Sequence, residues 1–211
     1  MSLPASRLHI TLMATLLLAL GAPLAAADSI SFDLTSNNIG VSGSVGTVSL
    51  NDTGSGSVLV TITMNAGFTI KLQGGQVGFN TTAGLNDGSF GPITIMAGGN
   101  TYTDLSFNSL KTNQNVSQFG TFTFDLTNFK GGPNGVTSAD QLSFEISGAS
   151  ASQFSGFVIH FCNGSGTNCA PETGFASNGP VTAVPEPASL SLIGTGLVML
   201  GALAKRRFYR S

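Results

Sequence analysis

The sequence predicts an all-β fold, an antiparallel β-sandwich of jelly-roll type, on three observations. Apolar residues recur with period two through most of residues 28–175. Short clusters of Gly, Asn, Asp, Ser and Thr punctuate those runs at intervals suited to turns. Phe supplies the aromatic bulk: fourteen of the fifteen Phe residues lie between Phe32 and Phe175, and the chain has no Trp. Two facing sheets about 10 Å apart are filled well by such side chains.

The strands follow in order. Ile30, Phe32 and Leu34 alternate with polar residues, and Val45, Thr47 and Ser49 interleave with Gly46, Val48 and Leu50. Val58, Val60, Ile62 and Met64 then share one face, with Leu59, Thr61 and Thr63 on the other. Further strands are expected at Phe68 to Leu72, Gln76 to Phe79, Ile93 to Met96, Asp104 to Phe107, Gln118 to Leu126, Leu142 to Ser147 and Phe154 to Phe161. Asn51-Asp52-Thr53-Gly54, Asn65-Ala66-Gly67 and Gly74-Gly75 supply turn chemistry between them. No convincing amphipathic helix and no repeat of fixed period is present, which disfavours solenoids and propellers. About ten strands in about 150 residues fit a sandwich.

Outside that body lie two apolar ends. Arg7 and His9 precede an apolar stretch from Ile10 to Leu20, followed by Ala25, Ala26 and Ala27. The pattern is a secretory signal peptide, residues 1–27, with an Ala-x-Ala site at Ala25 and Ala27 and cleavage before Asp28. The rival, an N-terminal anchor, needs a longer run to span a bilayer. At the other end, Ala176 to Ala183 has the polar, Gly-Pro character of a tether, and residues 176–184 are read as a linker. Pro185, Glu186 and Pro187 follow, and no helix crosses them, because each Pro lacks a backbone donor and pushes the residue before it toward extended backbone. The apolar run from Ala188 to Ala204 has 17 residues. As a helix it would be about 26 Å long, a marginal membrane span. Lys205, Arg206, Arg207 and Arg210 close the chain as a basic stop that favours the cytoplasmic side, which places the body outside the inner membrane.

This order of parts resembles the PEP-CTERM sorting signal of Gram-negative bacteria: Pro185, Glu186 and Pro187 as the motif, 188–204 as the transmembrane helix, and the basic end after it. The plainer reading is a single-pass anchor behind a Pro-containing linker. The resemblance covers about an eighth of the chain, residues 185–211. It implies an exosortase, a membrane-embedded processing enzyme, as partner, after export through the Sec translocon. It also implies transient residence in the inner membrane facing the periplasm, release to the cell surface or medium, and association with exopolysaccharide, biofilm or floc. Gly194 and Gly196 each weaken the helix by about 1 kcal/mol relative to Ala, which suits a segment that is handed over rather than kept.

Charge narrows the function classes. Between Asp28 and Val184, Lys71, Lys111 and Lys130 face nine acids, a net of −6. With no basic patch to neutralise phosphates, nucleic acid is excluded as a partner. Cys162 and Cys169 are the only cysteines and bracket a Gly-rich loop, which in an exported protein reads as a disulfide. The competing reading, zinc held by His160, Cys162 and Cys169, lacks a fourth ligand of the usual spacing. His160 is the only histidine after signal removal, and no Gly-x-Ser-x-Gly elbow accompanies it, so a structural role is expected and no catalytic residue is assigned. No pair among the acids sits in a motif that would select it for glycoside hydrolysis. Asn51-Asp52 and Asn86-Asp87-Gly88 could lend oxygens to calcium, yet they are good turn-formers and lack the ligand density of a calcium loop. No cofactor or metal is expected. Asn51-Asp52-Thr53, Asn80-Thr81-Thr82, Asn115-Val116-Ser117 and Asn163-Gly164-Ser165 match the N-glycosylation pattern, and their main message is surface loops. The expectation is a non-enzymatic, exported structural or adhesive protein. A carbohydrate-binding module is the alternative, weakened by the sole Tyr102 in the body, and a secreted hydrolase stands behind it.

Overall fold

The computed structural model describes residues 28–130, 135–169 and 172–179. Its strands are β1 (Ser29–Asp33), β2 (Ser36–Asn37), β3 (Gly46–Asp52), β4 (Ser57–Met64), β5 (Phe68–Lys71), β6 (Gln76–Thr81) and β7 (Ile93–Ala97). They continue as β8 (Asn100–Asn115), β9 (Thr121–Lys130), β10 (Ser138–Ala139), β11 (Gln141–Ser147), β12 (Phe154–Asn163) and β13 (Thr173–Ser177). All the pairings are antiparallel, as the alternating sequence requires. Among the described residues the helical pieces are three short 3-10 turns, and no helix is long and apolar enough to cross a membrane.

Hydrogen bonding joins the strands in the order β1-β3-β4-β11-β7-β8-β9-β6-β12-β13-β2, with β5 beside β12 and β10 beside β5. The path turns at β8. Residues Asn100 to Leu105 of that strand pair with β7, whereas Ser106 to Asn115 pair with β9. At the junction Asp104 has φ 61°, a left-handed conformation that bends the strand. The two ends of the path are β1 and β2, separated only by Leu34 and Thr35. One continuous stretch of chain therefore links the two ends of the path, with β1 paired to β3 and β2 to β13.

Rings from both halves of the path meet in one core. Phe32 of β1 lies 5.5 Å from Phe157 of β12, and Phe90 contacts both Phe79 of β6 and Phe144 of β11. Phe79 stacks on Phe124 and touches Phe154 and Phe157. A smaller cluster of Val116, Phe119, Phe122 and Val158 forms apart from this core, with Phe175 packed against it.

Several expectations change. The strand expected at Asp104 to Phe107 runs from Asn100 to Asn115. Leu105 is its one buried residue among mostly exposed polar neighbours, so it carries no alternating signal. The strand expected from Gln118 begins at Thr121, because Ser117–Phe119 forms a 3-10 turn ended by Gly120 at φ 84°. The strands β2, β10 and β13 were not expected. Two are only two residues long, and β13 runs two residues into the stretch read as a linker. Ala176 and Ser177 are buried in the sheet, and the Asn178 side chain accepts a hydrogen bond from the Phe157 amide. The sheet thus extends past residue 175, the boundary expected from sequence. The signal peptide and the helix at 188–204 lie outside the described residues.

Candidate functional site

The disulfide loop is the best-defined of the predicted features. Cys162 ends the buried part of β12 and is joined to Cys169 by a disulfide, with Cα atoms 5.4 Å apart. The ring is tied down on several sides: the Thr69 hydroxyl donates to the Gly164 carbonyl, the Ser138 hydroxyl to that of Gly166, and the Thr137 amide to that of Thr167. The Cys169 amide donates in turn to Thr137 Oγ1 at 2.8 Å. With both sulfurs bonded to each other, the thiolates that zinc would need are absent, and the set His160, Cys162 and Cys169 is not a ligand triad.

His160 stands two residues before Cys162 and stacks on Phe175 of β13, ring centroids 4.3 Å apart. Their strands pair at this level. Burial, then the charge of Lys71, push the imidazole pKa down to about 4, against a hydrogen bond with the Gly74 backbone. The side chain is neutral at physiological pH.

The same sheet face holds a residue whose role the sequence did not reveal. Gly78 pairs with Asp125 on β9 and with Val158 on β12, so Asp125, Val158 and His160 lie opposite the face bearing Phe79, Phe124 and Phe157. Asp125 is 2% exposed. Its Oδ2 accepts from the Gln76 side chain at 2.8 Å, while Oδ1 is buried without a hydrogen-bond partner. Burial raises its pKa, and the Gln76 hydrogen bond and the Lys111 charge act against that shift. In the sequence, Asp125 is one of nine acids between Asp28 and Val184. The alternation Phe124-Asp125-Leu126 showed its face but could not show what covers it.

The remaining candidates hold loops together. Asp52 Oδ1 accepts from the Ala151 amide at 2.7 Å, and the Ser29 hydroxyl donates to Asn51 Oδ1. Asn86 caps the turn at Asp87–Ser89, its Oδ1 accepting from the Gly88 amide. No group of three or more His, Cys, Asp or Glu side chains suited to a metal ion occurs among the described residues. Asp28 is the first described residue and is exposed. Ala25 and Ala27, the motif Pro185, Glu186 and Pro187, and the basic residues Lys205, Arg206, Arg207 and Arg210 lie outside the described residues.

The motif is decided by comparison rather than by geometry. The family described as the PEP-CTERM protein-sorting motif matches residues 183–207. The chain carries a PEP-CTERM sorting motif. The match spans Pro185, Glu186, Pro187, Lys205, Arg206 and Arg207, and Arg210 stands three residues beyond it. A PEP-CTERM motif implies an exported chain, held as a membrane-anchored precursor and processed by an exosortase. No curated protein and no solved structure matches the chain.

Proposed function

We propose that the chain is an exported structural or adhesive component of the cell surface or extracellular matrix, associated with exopolysaccharide and with biofilm or floc. The observation that carries this reading is the PEP-CTERM motif at residues 183–207, which begins four residues after the last described residue, Gly179, of an all-β body. In this reading the strands form the two layers of a β-sandwich bridged by β8. Residues 1–27 direct export through the Sec translocon and 188–204 span the inner membrane of a Gram-negative cell until an exosortase acts near Pro185. The body is non-enzymatic and needs no cofactor. Its histidine is neutral and stacked, both sulfurs are bonded together, and the most buried acid is engaged by Gln76.

Mass spectrometry of the mature protein from envelope and medium tests the reading. Chains that begin at Asp28 and end near Pro185 are expected. Recovery of an intact Arg210 in the released protein would overturn processing. Co-sedimentation of the released body with the matrix polysaccharide of the producing cell tests the adhesive role, and failure to bind would remove it.

A further inference from the structure

Both ends of the described body leave from one end of the molecule, and a chain of contacts demonstrates it. The Asp28 carbonyl accepts from the Asp52 amide, and Asp52 Oδ1 accepts from the Ala151 amide in the turn just before β12. Three residues further, β12 begins at Phe154, and its Phe157 amide donates to Asn178 Oδ1. The chain thus enters at Asp28, tied through Asp52 to the turn Ala151–Gln153, and departs after Asn178, level with Phe157, with β13 running toward that same end of β12. From Phe154, β12 runs ten residues to Asn163. At about 3.3 Å per residue, its far end lies roughly 30 Å away. There the disulfide ring gathers Thr69, Thr137 and Ser138 around itself.

We infer that in the anchored precursor the end bearing Asp28, Asp52 and Asn178 faces the bilayer, and the end bearing the Cys162–Cys169 ring points away from it. This inference rests on the reading of the PEP-CTERM tail as a membrane anchor. The leash is short. Gly179 and Pro185 are six residues apart in sequence, so the connection reaches at most about 20 Å even when extended. Entry at Asp28 beside the exit keeps the newly exported body in the same attitude while both apolar ends remain attached. The near end is acidic: Asp28 and Glu145 are exposed there, Asp52 is half-buried, and the Thr53 hydroxyl lies 3.5 Å from Glu145 Oε1. Lys71, Lys111 and Lys130 sit on β5, β8 and β9, off these contacts. Like charge therefore holds this end off an anionic bilayer, which leaves Pro185 to Pro187 open to a processing enzyme. The ring end is the surface that a matrix partner meets first.

Energy transfer to the membrane tests the orientation. The full-length chain would be reconstituted, without exosortase, in vesicles of phosphatidylethanolamine and phosphatidylglycerol carrying a headgroup acceptor dye. A fluorescent amino acid would replace either Ser55 or Ala66, exposed residues just beyond the two ends of β4. These sites are about 25 Å apart along the strand, so transfer from position 55 should exceed that from position 66. Equal or reversed transfer in chains that float with the vesicles would overturn the orientation alone. Chains that do not float would overturn the anchored reading and the orientation with it.

Discussion

Burial and the Lys71 charge lower the pKa of His160 to about 4, so the folded protein keeps a neutral imidazole where the unfolded chain binds a proton. The unfolded state then holds more protons between about pH 6.5 and 4, and stability falls as pH is lowered through that window, levelling off below it. Replacing His160 with Phe is expected to flatten this arm of a melting-temperature profile; an unchanged slope would place the titration elsewhere. Asp125 behaves oppositely. Its raised pKa means that burial opposes the ionised form, so its neutral form stabilises the fold at low pH and that contribution is lost as pH rises through the folded pKa. Asp125→Asn should raise the melting temperature at pH 7, and the gain should shrink as pH is lowered through the folded pKa, where the wild-type acid takes up a proton. Beside it, Gly78 leaves no room for a side chain. An added Cβ would lie 2.7 Å from Val158 Cγ1 and 3.3 Å from Phe122 Cγ. Gly78→Ala should cost about 1 to 3 kcal/mol by overpacking, read by urea denaturation. A Val158→Ala change made with it should recover part of that loss.

At the scale of elements, the eight-residue ring of Cys162 to Cys169 restrains the unfolded chain between β12 and β13. Replacing both cysteines with Ala is expected to cost about 2 to 3 kcal/mol in the chain-entropy description, and equal denaturation midpoints with and without the bridge would refute that value. Period-two alternation located β3, β4 and β11 well, because each buries one face and leaves the other open, and the apolar run of β12 marked a strand buried on both faces. The same rule failed at β8. That strand passes between two ladders, so its two halves present their faces to different neighbours and no single alternation survives. It also failed at β2 and β10, whose two residues are too few to show a period. Left-handed residues add to the difficulty. Asn113 and Asn128 adopt φ 52° and 56° inside strands, and the β8–β9 pairing skips both positions while keeping its register. In the sequence they look like ordinary polar strand residues.

For the whole molecule, the crossing at Leu34 and Thr35 matters as much as the one at Asp104. Leu34 is fully buried where the chain leaves the partner of β3 to join the partner of β13. Leu34→Ala should therefore cost about 2 to 5 kcal/mol, measured by thermal or chemical denaturation. A cost near zero would show that the crossing is not held by core packing. The sequence by itself determined the all-β class, the Cys162–Cys169 pair and the PEP-CTERM tail, because these depend on local period, residue type and order along the chain. Only the tertiary structure decided that β1 and β2 stand at the two ends of one strand path, that His160 stacks on Phe175, that Asp125 is sealed beside Gln76, and that entry and exit share one end. Each of those depends on which strands pair and in what register, and alternation assigns a residue to a face without naming its neighbour across the sheet.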